Sequence, residues 1–208
     1  MGAYNDFAGG SVERLAALSD GLFAVAMTLL VLDLKTPTAE AIQDERGLAL
    51  ALAGLAPRLV IYLMSFMTLG IFWVGQQTQL NHVARSNRRF TWVHLAFLCA
   101  VTLLPFSTAL MAEFITFRTA LLVYWANILL LGVCLAVSWR AALSAGLVRD
   151  GVGLAISRAF YRRVAIAQTL YAFGAALCVF NTYWSIAFIV AVQLFYVIGL
   201  DRGPLSRI

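Results

Sequence analysis

The chain has 208 residues, 62% hydrophobic and only 12% charged, and a mean hydropathy of +0.86. Soluble domains average about 45–50% apolar and about 25% charged residues, so this composition excludes an ordinary water-soluble fold and indicates an integral membrane protein. The formal net charge of +5 does not indicate nucleic-acid binding, because the basic residues lie in short segments between apolar runs.

Six runs are apolar and long enough to be membrane-spanning helices, which need about 20 residues. No connection between them is long enough for a soluble domain. The sequence therefore predicts an all-α fold, a polytopic membrane protein with six transmembrane helices in one domain, 1–208. In chain order the predicted spans cover 15–34, 55–74, 92–111, 119–138, 164–180 and 184–200.

Basic residues between the spans predict the orientation, because cytoplasmic loops carry an excess of Lys and Arg. With a cytoplasmic N-terminus, 11 of the 15 basic residues lie inside, and with six spans both termini are cytoplasmic. The remaining four lie outside: Lys35, Arg46, Arg58 and Arg118. Most tryptophans fall near predicted span ends, which is typical of anchors at the membrane interface: Trp73, Trp92, Trp125, Trp139 and Trp184.

The first predicted span contains an acidic residue, Asp20, about five residues inside its start. Ionisable groups at this depth are costly and usually face protein or water. Arg14 is six residues away, too far for a regular helical pair, so the partner of Asp20 must come from another helix or from a non-helical start of the span. We interpret Ser19 and Asp20 as a buried polar tie between the first helix and its neighbours, while a direct role in gating or ion access stays open.

A second feature of this helix is the spacing of Val25, Thr28, Leu29 and Leu32, which follows i, i+3, i+4 and i+7. These four residues share one side of the helix, and we call them the stripe. At 100° per residue, Asp20 lies about 140° around the helix from Val25, so it should point back into the bundle. On periodicity alone, such a pattern is more typical of helix packing than of a pore.

The motifs of the first half of the chain resemble those of the transmembrane protein 175 potassium channels. Residues 14–20 are similar to that family's Arg-x-x-x-Phe-Ser-Asp signature through Arg14, Ser19 and Asp20, with Leu in place of Phe. Residues 21–33 look like its first helix, 72–73 like an aromatic pair late in its second, and 103–110 like its third-helix Leu-Pro-Phe motif. Beyond residue 118 the resemblance rests on span count and spacing.

Three further residues depart from the family pattern, besides Leu18. Gln76 and Gln77 stand where bacterial members often have a His pair, and His94 stands in place of an Asn. None of these departures touches the stripe.

The resemblance implies a homotetramer in which the first helix of each subunit lines a central pore selective for potassium. It implies that Val25 forms the narrow constriction, that Thr28 forms the selectivity layer, and that Leu29 and Leu32 are further apolar pore positions. Four valines would form a hydrophobic collar, and four Thr hydroxyls would offer oxygen dipoles to a partly dehydrated K⁺. It implies K⁺ as a transient permeant ion, no cofactor, and a place in the lipid of the inner (plasma) membrane.

Other classes of protein fit the sequence less well. A secondary transporter of a small cation or solute is the alternative, but it would predict charged sites near the midplane and internal repeats, and Asp20 is the one serious acidic candidate in a span. Motifs of intramembrane enzymes are missing, so we predict no enzymatic activity. The cysteines show neither a metal-ligand nor a disulfide spacing: Cys99, Cys134 and Cys178.

Overall fold

The computed structural model describes residues 11–39, 42–151 and 154–199, and in these ranges the chain is helical apart from loops and a single β-bridge. The all-α prediction is confirmed. Two short 3-10 segments, Leu30–Asp33 and Leu177–Val179, extend the α-helices Val12–Leu29 and Leu154–Ala176. The α-helices are α1 (Val12–Leu29), α2 (Glu45–Gly54), α3 (Ala56–Asn81), α4 (Arg88–Thr102), α5 (Leu104–Glu113), α6 (Arg118–Ser144), α7 (Leu154–Ala176) and α8 (Thr182–Gly199).

Three helices begin at polar side chains that accept a backbone hydrogen bond. The Ser11 hydroxyl accepts from the amide of Arg14 at 3.1 Å. The carboxylate of Asp44 and the side-chain carbonyl of Asn87 accept from amides three residues on, at 2.7 and 2.9 Å. Such caps satisfy amides that have no partner within the helix, which explains why α1, α2 and α4 begin where they do.

Proline explains the break within the third predicted span, 92–111. Pro105 lies in the first turn of α5, and α4 ends at Thr102. Proline has no amide hydrogen and its ring clashes with the carbonyl four residues earlier, so it is tolerated in a first turn and breaks a continuous helix. Pro57 has the same position at the start of α3.

Four segments of the described chain are long and apolar enough to cross a membrane: Val12–Asp33, Ala56–Asn81, Arg88–Glu113 and Arg118–Ser144. They contain the first four predicted spans, apart from Leu34 and Leu55 at two edges. Thr182–Ile198 is a shorter apolar helix that overlaps most of the sixth predicted span, 184–200, whose last residue, Leu200, lies outside the described residues. The fifth predicted span, 164–180, falls in α7 and its 3-10 extension, apart from Phe180 at its end. The first half of α7 also carries Arg158, Arg162 and Arg163.

Hydrogen bonds between loops define one end of the bundle. The amide of Ala84 donates to the carbonyl of Leu147 at 2.8 Å, and the amide of Arg149 donates to the carbonyl of His82 at 2.9 Å. These bonds form the β-bridge between Val83 and Val148. The loop between α3 and α4 therefore lies beside the loop between α6 and α7, as the predicted topology requires. We call this the basic end, because its loops and helix ends carry Arg85, Arg88, Arg89, Arg140 and Arg149.

Two contacts define the opposite end. Arg58 at the start of α3 forms an ion pair with Glu113 at the end of α5, with 2.7 Å between nitrogen and oxygen. Arg118 at the start of α6 donates to the carbonyl of Val179 at 3.0 Å, just after α7. The helices therefore run alternately between the two ends.

The core lies where α1, α3, α4, α5 and α6 meet, with α7 and α8 packed on one side. It also contains a chain of hydroxyl groups. Thr108 donates to Ser65 at 2.8 Å, Thr68 lies 3.0 Å from the Tyr124 hydroxyl, and Gln193 of α8 donates to Thr68 at 2.6 Å. Hydrogen bonds between helices replace the hydration that these buried groups lose. They connect α8 to the hydroxyl groups shared by α3, α5 and α6.

A close approach between α6 and α7 leads to a first prediction. A Cβ added at Gly132 would lie 1.9 Å from Nε2 of Gln168, whose side chain donates to the carbonyl of Ile128 at 3.3 Å. We expect Gly132→Ala to lower the unfolding temperature in detergent, because the Gln168 side chain must move aside and lose this hydrogen bond, which costs roughly 0.5–1.5 kcal/mol.

The matched control is Gly70→Ala in α3, where an added Cβ meets no heavy atom within 4 Å. This variant should unfold at or slightly above the wild-type temperature, because alanine favours helix. Gln168→Ala in the Gly132→Ala background should restore part of the loss. Equal destabilisation by the two glycine substitutions would contradict the prediction.

Candidate functional site

The stripe of α1 is not part of the core. The exposed fraction of the side chain is 54% for Val25 and 69% for Leu32, and Thr28 and Leu29 are also exposed. Large apolar side chains that the protomer leaves uncovered must face lipid, a pore or another protein surface. Packing within the protomer, the ordinary reading of this spacing, therefore does not account for the stripe.

The opposite face of α1 makes the helix contacts. Phe23 is buried and its ring lies 6.1 Å from that of Phe97 in α4. The other buried residues of this face are Leu15, Ser19, Ala26 and Leu30. Because α1 packs on α3, α4 and α5 through this face, its position and rotation are defined and the stripe points away from them.

The Thr28 side chain has a specific orientation. Its hydroxyl donates to the carbonyl of Val25 at 2.8 Å. A hydroxyl has one proton and two lone pairs, so this bond uses the proton and leaves the lone pairs free at the exposed surface. Thr28 therefore presents oxygen as an acceptor on an otherwise apolar stripe.

Ser19 is the centre of a buried polar cluster. Its exposed fraction is 0%. The hydroxyl donates to the carbonyl of Leu15 at 2.7 Å, lies 2.8 Å from Nε2 of His94 in α4, and accepts from Nε2 of Gln76 in α3 at 3.2 Å. One residue thus connects three helices, which agrees with the predicted polar tie.

Asp20 is positioned differently from the expectation that it points into the bundle, because its side chain is exposed. Its carboxylate accepts from the indole nitrogen of Trp73 at 2.8 Å and from Nε2 of Gln77 at 2.5 Å. Its partners therefore come from another helix, as predicted. The side chain of Arg14 is exposed and makes no ion pair with a residue that the structure describes.

The roles of Trp73, Gln76 and Gln77 were not predicted. The spacing of two of them could have indicated a shared role, because Trp73 and Gln77 are four residues apart on α3 and therefore share a face of that helix. Two glutamines in succession near the end of an apolar run are also unusual for a membrane span. Neither signal identifies α1 as the partner helix.

An apolar bundle whose helices alternate between a basic end and an opposite end is the architecture of a helical integral membrane protein. Comparison with known proteins is more specific. The sequence profile of a family described as "Endosomal/lysosomal potassium channel TMEM175" matches residues 14–105. This range contains α1 from Arg14 onwards, the whole of α3 and α4, and the first residues of α5.

Two similar sequences and a solved structure point to the same family as this profile. The chain is 37% identical over 128 residues to a potassium channel of Streptomyces collinus, covering 62% of this chain and 61% of the relative. It is 35% identical over 135 residues to one of Chamaesiphon minutus, covering 64% and 66%. These matches thus span about two thirds or less of either relative. The crystal structure of a lysosomal potassium-selective channel TMEM175 homolog from Chamaesiphon minutus superposes with a TM-score of 0.79 at 27% identity, covering 92% of this chain and 98% of that one.

The chain is therefore similar to TMEM175-type ion channels, in the sequence of its first half and in its fold. Similarity to ion channels agrees with the predictions of no enzymatic activity and no cofactor.

Proposed function

We propose that this chain is a subunit of a potassium-selective, leak-type channel in which α1 lines the conduction path. The observation that carries the proposal is the stripe, which presents a Thr28 oxygen between apolar residues on a helix whose other face is fixed in the core. The similar proteins of Streptomyces collinus and Chamaesiphon minutus are potassium channels, which supports the choice of ion.

Thr28 is the proposed selectivity residue. Four hydroxyl oxygens with outward lone pairs would replace part of the hydration shell of K⁺ without a fixed negative charge. Neutral ligands bind weakly enough for rapid release, which conduction requires. They also favour monovalent over divalent cations, because a divalent ion loses more hydration energy than dipoles return.

Val25, Leu29 and Leu32 are the proposed constriction and gate. Rings of apolar side chains can exclude water from a narrow path and so close it to ions. In this scheme the Arg14, Ser19 and Asp20 motif is structural: Ser19 and Asp20 hold α1 against α3 and α4, and so set the direction of the stripe.

A stripe on one helix forms a pore only in an oligomer, so we propose a homotetramer, with residues 1–208 as one domain. The subunit would cross the inner (plasma) membrane six times, with the basic end and both termini in the cytoplasm. The pairing of the two Arg-bearing loops at one end supports this orientation. The termini themselves lie outside the described residues.

The test is the reversal potential in planar bilayers under opposed potassium and sodium gradients. Wild type should reverse near the potassium equilibrium value, and Thr28→Ala should move the reversal potential towards zero. Loss of about 1.4 kcal/mol of differential stabilisation corresponds to a tenfold lower permeability ratio.

The matched control is Thr102→Ala. Thr102 is also exposed, on α4, and its hydroxyl also donates three residues back, to the carbonyl of Cys99 at 2.8 Å. It is not on the stripe, so its loss should leave selectivity unchanged. Saturable flux that depends on a second ion gradient would instead indicate a secondary transporter, and equal effects of the two Thr variants would contradict the role of Thr28.

A further inference from the structure

A cavity of about 520 Å³ opens at the basic end between the end of α3, the end of α6 and the start of α7. Its volume is within the range of small-molecule sites, roughly 300–1,000 Å³. Two guanidinium groups, Arg162 and Arg163, line it together with His82, Trp139 and Phe160. It lies away from the stripe of α1 and has no part in the proposed conduction path.

The charged groups of this cavity have no ion-pair partner among the residues that the structure describes. Both arginines are exposed, and neither forms an ion pair with any residue that the structure describes. Adjacent arginines on one turn of α7 repel each other, so an anion that both can reach would stabilise them. Arginine is also the side chain best suited to phosphate, because its planar fork donates two parallel hydrogen bonds.

Trp139 is the second, independent indication of a ligand. Its exposed fraction is only 1%, yet its indole nitrogen has no hydrogen-bond partner among the described residues. Its ring is held by Phe160 at 5.1 Å and by the edge of His82 at 6.4 Å. A buried N–H donor without an acceptor is costly, and an acceptor that reached it from the cavity, after a small shift of the lining side chains, would remove that cost.

We propose that this cavity binds the phosphodiester head of an anionic phospholipid. Arg162 and Arg163 would bind the phosphate oxygens, Trp139 would supply a neutral donor, and the apolar wall of α7 with Phe160 would contact the glycerol and first methylenes. Basic pockets between transmembrane helices on the cytoplasmic side are suited to such heads. Free inorganic phosphate offers the same oxygens without the apolar part, so the test must separate the two sources.

The experiment uses the full chain, purified in a neutral detergent and titrated with phosphatidylglycerol. The readout is the rise in unfolding temperature, with phosphatidylcholine of the same acyl chains and inorganic phosphate as separate arms. We expect stabilisation by phosphatidylglycerol alone. Arg162→Gln/Arg163→Gln should weaken the apparent affinity roughly 30-fold, because each Arg near an anionic head contributes about fivefold. Trp139→Phe keeps the aromatic packing and should weaken it by a smaller factor.

The matched control is Arg140→Gln/Arg158→Gln, which removes the same charge from exposed residues of α6 and α7 that do not line the cavity. Its affinity should stay close to wild type. Equal weakening in both double variants would show general surface attraction and overturn the site. Equal stabilisation by inorganic phosphate, or by phosphatidylcholine, would overturn its assignment to an anionic lipid.

Discussion

Replacing Ser19 by alanine is expected to destabilise the folded protein by about 2–6 kcal/mol, because it leaves two buried donors without an acceptor at about 1–3 kcal/mol each. The Ser19 hydroxyl gives its single proton to the carbonyl of Leu15, which can only accept. Nε2 of His94 must then be the donor in its bond to Ser19, and Nε2 of Gln76 is the second donor. This tautomer of His94 also leaves an unprotonated Nδ1, which agrees with the lack of a partner for that atom among the described residues.

The measurement is thermal unfolding in detergent, with Ser107→Ala as the matched control. Ser107 is also buried and also donates to its own helix, at Leu104, but it accepts from one donor only, Asn127 at 3.3 Å. Ser107→Ala should therefore cost about half as much. A Ser19→Ala loss no larger than that of the control would contradict the assigned tautomer and the central role of Ser19.

A double-mutant cycle can isolate the His94 contact. His94 lies between Phe90 and Phe97, at ring distances of 6.0 and 6.1 Å, so a phenylalanine should fit in its place. In the His94→Phe background one orphaned donor is gone, and Ser19→Ala should cost less than in wild type. Additive losses would show that the two side chains are not coupled.

The positions of the first four spans were predictable because the bilayer demands about 20 apolar residues, while span ends were less so. The second predicted span, 55–74, stops short of α3, which continues to Asn81. The polar residues Gln76 and Gln79 interrupt the apolar run in the sequence, yet both are buried and hydrogen-bonded to neighbouring helices. Polarity ends a span only when the side chain meets water.

The partners of Asp20 were beyond prediction from spacing. Trp73 and Gln77 are 53 and 57 residues away, and no local pattern specifies which face of α3 meets α1. Interpreting Trp73 as an interface anchor was therefore incomplete, because its indole also binds a carboxylate. The helical spacing of the stripe could be read from sequence, but its exposure depends on which neighbours cover the other face.

Substituting Val25 by serine is expected to raise the resting conductance by about tenfold or more, since 1.4 kcal/mol removed from a barrier is a factor of ten. In the proposed tetramer, four Val25 side chains form the narrow collar, and their apolar surface disfavours water in the path. A hydroxyl at this position would hydrate the collar. The measurement is single-channel and macroscopic current in planar bilayers at symmetrical potassium.

Val31→Ser is the matched control, because Val31 undergoes the same chemical change and is also exposed, but lies about 120° from Val25 around the helix. It should leave the resting current unchanged. Val25→Leu tests the same collar in the opposite direction: a longer side chain narrows the path and should reduce leak and open conductance. If Val25→Leu and wild type leak equally while Val31→Ser conducts like Val25→Ser, the collar is not at Val25. The stripe would then face lipid or another subunit, which would require a different element to line the path.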